Sequence, residues 1–282
     1  MVNRAAVRAD SLLDADLGIA AESLTSWREE CLRWQRRDLD RALSSFTFIA
    51  DVTSLSEDCC FVGDSQRLVA RYDGLPFAAI AFCSRDRASP EETPRRIAEL
   101  TRRLVSPQET FACLVAERDR PLIEAAYRVL KIYPEWQMVF RGDALNLDPG
   151  RAVALGPSDV SKMRALARYE GLMAFGRDPL GRGPWYGIWH PSRSSLGSQL
   201  VAQGGTRLVL DQAAEIGNIV TARAFRRRGY GSQVVAALLR DLTLEGYSVF
   251  LQVLKENTEA IAFYEHLGFE KHHDMIIAQC SL

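Results

Sequence analysis

Between Ile219 and Leu242 a β-branched run gives way to a basic loop holding two glycines, and the loop passes straight into an apolar-periodic helix. The run is Ile219-Val220-Thr221, and the loop extends from Ala222 through Arg226, Arg227, Arg228, Gly229, Tyr230 and Gly231 to Ser232. In the helix Val234, Val235, Leu238, Leu239 and Leu242 share one face, and Gly246 is the expected stop. A strand that feeds a helix through such a turn aims several backbone N–H groups at one spot and adds the positive end of the helix dipole. Glycines let the backbone approach an anion without side chains in the way. The arrangement suits a pyrophosphate, with Arg226 to Arg228 adding charge around it. It is not a Walker loop, because no Gly-Lys-Ser/Thr follows, and it lacks the third glycine of a dinucleotide fingerprint.

Downstream, Val249 to Val253 read as a buried strand, followed by a polar turn and a helix closed by Gly268. Asn257 supplies an amide at the turn. Tyr264 lies seven residues on, two helical turns along the same face. Each segment has a plain structural reading of its own: Ile219 and Val220 are what any buried strand carries, and Asn257 is an ordinary helix cap.

Taken together, the two segments resemble the GNAT superfamily of acyl-CoA-dependent N-acyltransferases. Arg226-x-x-Gly229-x-Gly231 is similar to the superfamily's Q/R-x-x-G-x-G/A signature, and Asn257-x-x-Ala260-x-x-x-Tyr264-x-x-x-Gly268-Phe269 to its second motif. The resemblance covers about Arg151 to Leu282. The run from Gly205 to Thr221 further resembles the branch that includes glycine N-acyltransferase relatives. It implies an α+β fold, a mixed and mostly antiparallel sheet flanked by helices, splayed open beside the loop to admit a pantetheine arm. The implied cofactor is acetyl-CoA. Backbone groups of Ile219, Val220 and Thr221 would bind the pantetheine. Arg226, Arg227, Arg228, Gly229, Tyr230, Gly231 and Ser232 would surround the pyrophosphate, with Asn257, Ala260 and Tyr264 on the opposite wall. Ala222 and Arg223 stand where relatives often have proline, and Arg227 replaces a frequent glycine.

Acyl transfer to an amine requires a neutral amine, a polarised thioester carbonyl and a proton for the departing thiolate. The resemblance implies direct attack in a ternary complex, which leaves the cysteines without a catalytic role. Glu215, fourteen residues before Gly229, is the candidate base. Tyr264 is the candidate acid, and a backbone N–H near Val220 the carbonyl's polarising group. Their bland counterparts are a solvated strand carboxylate and a packed aromatic. The segment from Phe175 to Trp189, rich in Gly, Pro and aromatics, reads as a mobile lid or acceptor wall suited to a small amine or amino acid.

The rest of the chain sets boundaries on these readings. At 282 residues it is long enough for two domains. The polar, turn-rich stretch from Gly142 to Gly150 divides it into residues 1–145 and an acyltransferase domain at 146–282. The first domain shows a helical pattern over 10–45, a hairpin around Asp73-Gly74, a helix near 90–105, a strand at 110–116, a helix over 120–131 and a strand at 135–140. This order parallels the second half, so two similar domains in tandem are expected, the first a degenerate copy without the double-glycine loop; an unrelated α+β domain packed on the second and shaping the acceptor site is the alternative. In the second, strands are expected at 152–155, 198–201, 206–211 and 215–221, and a helix opened by Ser158 or Asp159.

A net charge of −1 gives no global attraction to nucleic acid or anionic membranes. No apolar run approaches the ~20 residues of a membrane helix, and no secretory signal precedes Asp16. Six cysteines without C-x-x-C spacing read as free thiols of a cytoplasmic protein, and the histidines, with His272 and His273 on a solvated turn, form no metal set. The acceptor is therefore expected to be a small molecule, with neither nucleic acid nor membrane as partner. A non-catalytic acyl-CoA sensor is the alternative that the same loop allows. A nucleic-acid role for the loop arginines has against it the near-neutral net charge and the absence of interleaved exposed aromatics.

Overall fold

The computed structural model describes residues 59–64, 66–84, 92–191, 197–209 and 212–282, so the helical pattern over 10–45 and Cys31 lie outside the described residues. The chain divides into two compact units, Met1–Glu135 with His273–Leu282, and Trp136–His272. The division falls earlier than the stretch Gly142–Gly150 and returns the last residues of the chain to the first unit.

In the first unit β1 (Cys59–Gly63), β2 (Arg67–Tyr72) and β3 (Ala78–Ser84) run antiparallel in succession, and β2 and β3 are the hairpin expected around Asp73-Gly74. Helix α1 (Glu92–Thr101) carries the chain back, so β4 (Phe111–Ala116) pairs parallel to β3. A parallel neighbour requires such a crossover. Helix α2 (Arg120–Ala126) follows, with Pro121 in its first turn. It ends five residues before the expected Lys131, because the chain turns extended at Tyr127 and β5 (Arg128–Phe140) begins at once. The lysine and arginine of that stretch fit either conformation, and Val129 and Ile132, three residues apart, give no strand alternation.

The second unit starts with the two-residue β6 (Val153–Ala154), a 3-10 turn at Pro157–Asp159 and helix α3 (Val160–Tyr169). Asp159 fixes this start by accepting the Gly156 N–H at 2.9 Å. Next come β7 (Trp185–Pro191), β8 (Ser198–Val209) and β9 (Ala213–Thr221), successive antiparallel neighbours. Helix α4 (Tyr230–Leu244) is the crossover to β10 (Ser248–Leu254), which lies parallel to β9. Helix α5 (Thr258–His266) and β11 (Phe269–Ser281) complete the chain. Both units therefore share one wiring: antiparallel strands, a crossover helix, then a strand parallel to the last.

Three expectations are corrected here. The stretch 198–209 is one strand, because Gly204-Gly205 does not end it but lets it pass closely over its neighbours. Trp185–Trp189 belongs to strand β7, with Trp185 only 2% exposed, so the second half of the supposed lid is core. His272 and His273 lie within β11 rather than on a turn.

One core of the second unit lies between the sheet and α4, built from Val234, Val235, Leu238, Leu239 and Leu242 against Ile188, Val201, Ala214 and Ile216. A second, on the α3 side, joins Met163, Leu166, Trp185, Leu200 and Val220. Among the described residues no helix is long and apolar enough to cross a membrane, and no cluster of His, Cys, Asp and Glu could hold a metal ion.

Candidate active site

The site is built where β9 leaves β10. The two strands are in register only over Ala213–Glu215 against Ser248–Phe250. Beyond Glu215, β9 keeps its partner β8 on one side, with Val220 opposite Gln203 and Thr221 opposite Ala202. Among the described residues, its other edge from Ile216 to Thr221 has no strand partner. From Gly217 to Val220 the strand uses one residue more than β8 does from Gly205 to Gln203, and Asn218 adopts φ 53°. Such a bulge re-aims the N–H and C=O groups that follow it. An edge of unpaired backbone donors and acceptors, inside a sheet, is a place for an extended polar chain to lie.

The basic loop follows directly. Ala222 N–H still bonds to the Val201 carbonyl at 2.8 Å, and a 3-10 turn spans Arg223–Phe225. Gly229, at φ 77°, turns the chain into α4. Arg227, the residue that replaces a frequent glycine, sits at φ 61° and thus takes the backbone conformation glycine favours. A Cβ on Gly231 would come within 3.5 Å of the Phe263 ring and 3.6 Å of Thr221 Oγ1, so the end of β9, the start of α4 and one face of α5 converge there. The N–H groups of the first turn of α4 have no intrahelical partners, and their dipole end favours an anion.

The three loop arginines do different things. Arg226 donates from Nε to the Thr221 carbonyl at 3.0 Å and from Nη2 to Glu170 Oε2 at 2.7 Å. Glu170 Oε1 also accepts the Arg223 N–H at 3.0 Å, and its side chain is only 5% exposed. Arg227 pairs with Glu259 at 2.7 Å, both well exposed. Arg228 stacks over the Phe225 ring. Glu170, at the end of α3, has no signal in the sequence beyond being an acid before a glycine.

On the α3 side of the sheet Glu215 is buried. Arg207 on β8 crosses over Gly217, where a Cβ would meet its Cδ at 2.3 Å, and brings Nη1 to 3.2 Å from Glu215 Oε1. This is an ion pair off the hydrogen-bonding direction, since Oε1 accepts no hydrogen bond. Arg182 approaches the same carboxylate, its chain pinned alongside by Thr206 N–H to the Pro184 carbonyl at 3.0 Å. Burial pushes the Glu215 carboxyl above the ordinary carboxylate value, and Arg207 and Arg182 oppose that shift. Burial pulls the Arg182 guanidinium down from its ordinary value, and the neighbouring Arg207 charge adds to this.

On the other wall Asn257 caps α5, its Oδ1 accepting the Ala260 N–H at 3.1 Å. Tyr264 is half-buried, edge-on to Phe263 at 5.1 Å and Phe269 at 5.6 Å between centroids, and burial pushes its phenol well above the ordinary tyrosine value. The hydroxyl therefore keeps its proton through the neutral range. Tyr230 carries Arg151 over its ring, and Ile219 packs against the α4 core. Of the expected lid, Phe175 remains outside the strands but stands edge-on to Trp185 at 5.5 Å, and Tyr186 is tied by its hydroxyl to Asp241.

Residues 194–277 match the family described as FR47-like protein. Over 73 residues the chain is 38% identical to the uncharacterized N-acetyltransferase YobR of Bacillus subtilis, covering 24% of this chain and 30% of that protein. Over 67 residues it is 39% identical to the [ribosomal protein bS18]-alanine N-acetyltransferase of Salmonella typhimurium, covering 23% of this chain and 45% of that one. The matches thus span less than half the length of either relative. A tandem GNAT protein from the clavulanic acid biosynthesis pathway has the same fold across 95% of this chain and 96% of its own, with a TM-score of 0.63 at 14% identity. Residues 194–277 are thus similar to the FR47-like family, stretches of the chain are similar to two N-acetyltransferases, and its fold is like that of a tandem GNAT protein.

Proposed function

We propose that the protein moves an acetyl group from acetyl-CoA to the primary amine of a small molecule or amino acid, by direct attack in a ternary complex. The observation that carries this reading is the unpartnered edge of Ile216–Thr221 running into a loop whose helix end can hold a diphosphate. Acetyl-CoA supplies the activated carbonyl and the thiol leaving group. Backbone groups of Ile219, Val220 and Thr221 hold the pantetheine, with an N–H near Val220 polarising the carbonyl. The first turn of α4, from Gly229 to Ser232, holds the diphosphate, and the Asn257 side-chain NH2, which the cap through Oδ1 does not use, donates to the pantetheine. Glu215 takes the proton of the attacking ammonium, through water where needed, and the Tyr264 hydroxyl gives one to the sulfur as the C–S bond breaks. A raised carboxyl serves the first step and a protonated phenol the second, which matches the shifts of both groups.

An amino acid fits the acceptor side better than a plain amine. Beside Glu215 lie two guanidiniums, Arg182 and Arg207, and an isolated ammonium would meet both. A zwitterion would place its ammonium on Glu215 and its carboxylate on the arginines. The likeness of Gly205–Thr221 to glycine N-acyltransferase relatives supports the same choice. The free cysteines among the described residues suit a cytoplasmic setting.

Calorimetry with acetyl-CoA, followed by thiol release across a panel of amines and amino acids, tests the proposal. Glu215→Gln should lower the rate by about a hundredfold while leaving acetyl-CoA affinity nearly intact. An unaffected rate refutes the base role, and binding without turnover on every acceptor favours a non-catalytic sensor.

A further inference from the structure

Glu170 is a buried carboxylate that none of the proposed chemistry uses, and it sits against a loop meant for an anion. Its place needs a cause. It ends α3, where its own N–H closes the helix on the Leu166 carbonyl at 3.0 Å. From that fixed point it reaches the basic loop twice, accepting the Arg223 N–H at 3.0 Å and Arg226 Nη2 at 2.7 Å. Arg226 in turn bonds back to the Thr221 carbonyl at 3.0 Å. The guanidinium is thus a strap between the last residue of β9 and the end of α3, with the 3-10 turn Arg223–Phe225 held inside it. Two of its donor nitrogens are committed to these bonds, and its charge is already matched.

We infer that Glu170 is a positioning residue for the cofactor loop, and that Arg226, the first residue of the R-x-x-G-x-G segment, acts through it as a strap rather than as a diphosphate ligand. This inference rests on the loop being the acetyl-CoA site. A loop between a bulged strand and a helix has few contacts of its own, and its N–H groups must point at one spot before the ligand arrives if ordering is not to weaken binding. Fixing Arg223 and Arg226 to α3 achieves that. It also ties the loop to the segment that follows Glu170, which leads through Gly171 to Arg182 on the acceptor side. A change in that segment therefore reaches the cofactor loop through one carboxylate.

The test uses the full chain, with acetyl-CoA titrated calorimetrically into wild type, Glu170→Ala, Glu170→Gln, Arg226→Ala and the double variant Glu170→Ala/Arg226→Ala. Each alanine variant should weaken binding about ten- to thirtyfold, and the double variant should be no weaker than the worse single one, because one shared contact is lost. Glu170→Gln, which can still accept the Arg223 N–H, should recover part of the loss. In steady state the KM for acetyl-CoA should rise by more than kcat falls. Hydrogen exchange without cofactor should show lost protection at 222–232 in Glu170→Ala, with Val234–Leu242 unchanged. Additive losses in the double variant would make Arg226 an independent ligand and overturn the strap. Wild-type affinity and unchanged exchange in Glu170→Ala would overturn the positioning role. If wild type itself binds no acetyl-CoA, the proposed function fails, while the exchange comparison still decides whether Glu170 orders the loop. Should Glu170→Ala unfold, Arg226→Ala, altered at a half-exposed side chain, carries the same comparison.

Discussion

Gly204 and Gly205 are neighbours on β8, and the same small change at each should have opposite consequences. Successive residues of a strand face opposite sides. A Cβ on Gly205 would lie 2.0 Å from the Trp185 ring, and one on Gly204 2.2 Å from Ile219 Cδ1. Carbon atoms prefer about 3.5–4.0 Å, so both are overlaps of more than an ångström. What differs is whether the neighbour can yield. Trp185 is 2% exposed, faces Gly205 across the ladder and is blocked by Phe175 edge-on. Gly205→Ala should therefore cost about 3 kcal/mol, the upper end for overpacking. That corresponds to a melting temperature lower by about 6–12 °C. Ile219 meets Gly204 with the free end of its side chain, which a rotamer change moves away for about 1 kcal/mol, and Val234 Cγ1, at 3.0 Å, has to give by only a few tenths of an ångström. Yet Ile219 lies beside the bulge of β9, so its displacement disturbs the edge proposed for pantetheine. Gly204→Ala should lower the melting temperature by about 2–4 °C but weaken acetyl-CoA about tenfold. Thermal melts and calorimetry on the two variants settle the matter. A wild-type melt for Gly205→Ala would refute the packing argument, and equal affinity losses for both variants would refute the assignment of faces.

Tyr264→Phe should reduce kcat at least about tenfold while acetyl-CoA affinity, measured by calorimetry, changes little; equal losses in both would mark the ring as packing only. Arg207 holds down the raised carboxyl of Glu215, so Arg207→Met should raise it further. Because the base must be ionised, the acid limb of the kcat/KM profile should then move to higher pH, and a shift to lower pH would contradict the arrangement. At Gly229 the backbone has φ 77° and a Cβ would meet nothing within 4 Å, so Gly229→Ala tests backbone strain alone. It should cost about 1–2 kcal/mol in a chemical-denaturation curve and weaken acetyl-CoA as the N–H groups of α4 tilt.

The strand–loop–helix segments proposed for the cofactor were readable in sequence as local structure because their parts are consecutive. Ile219 to Ser232 form one uninterrupted strand–loop–helix unit, and Asn257 to Gly268 another, so spacing alone carries the geometry. The surroundings of Glu215 and of the basic loop were not, because they are assembled from segments distant in sequence. Arg207 reaches Glu215 only through the pairing of β8 with β9, and Glu170 reaches the loop residue Arg226 from the end of α3. Strand β7 escaped for a local reason: Gly183-Pro184 beside aromatics has loop chemistry, yet those aromatics are the core of the α3 side. Gly204-Gly205 misled similarly, since a glycine pair marks close packing over Trp185 and Ile219 as readily as it marks a turn. The tandem wiring was visible because both halves repeat an order of elements rather than a motif.

The return of His273–Leu282 to the first unit has a practical edge. Met275 to Cys280 are hydrogen-bonded along β4, and Ile276, Ala278 and Cys280 fill the core beneath it. Clipping a handful of residues from the carboxyl end, or appending a tag that pulls them loose, would strip a neighbour from Phe111–Ala116 and leave a hydrophobic ladder open to any passing strand. Such preparations should clump although every residue of the proposed catalytic apparatus is intact, and expression designs need to leave that end undisturbed.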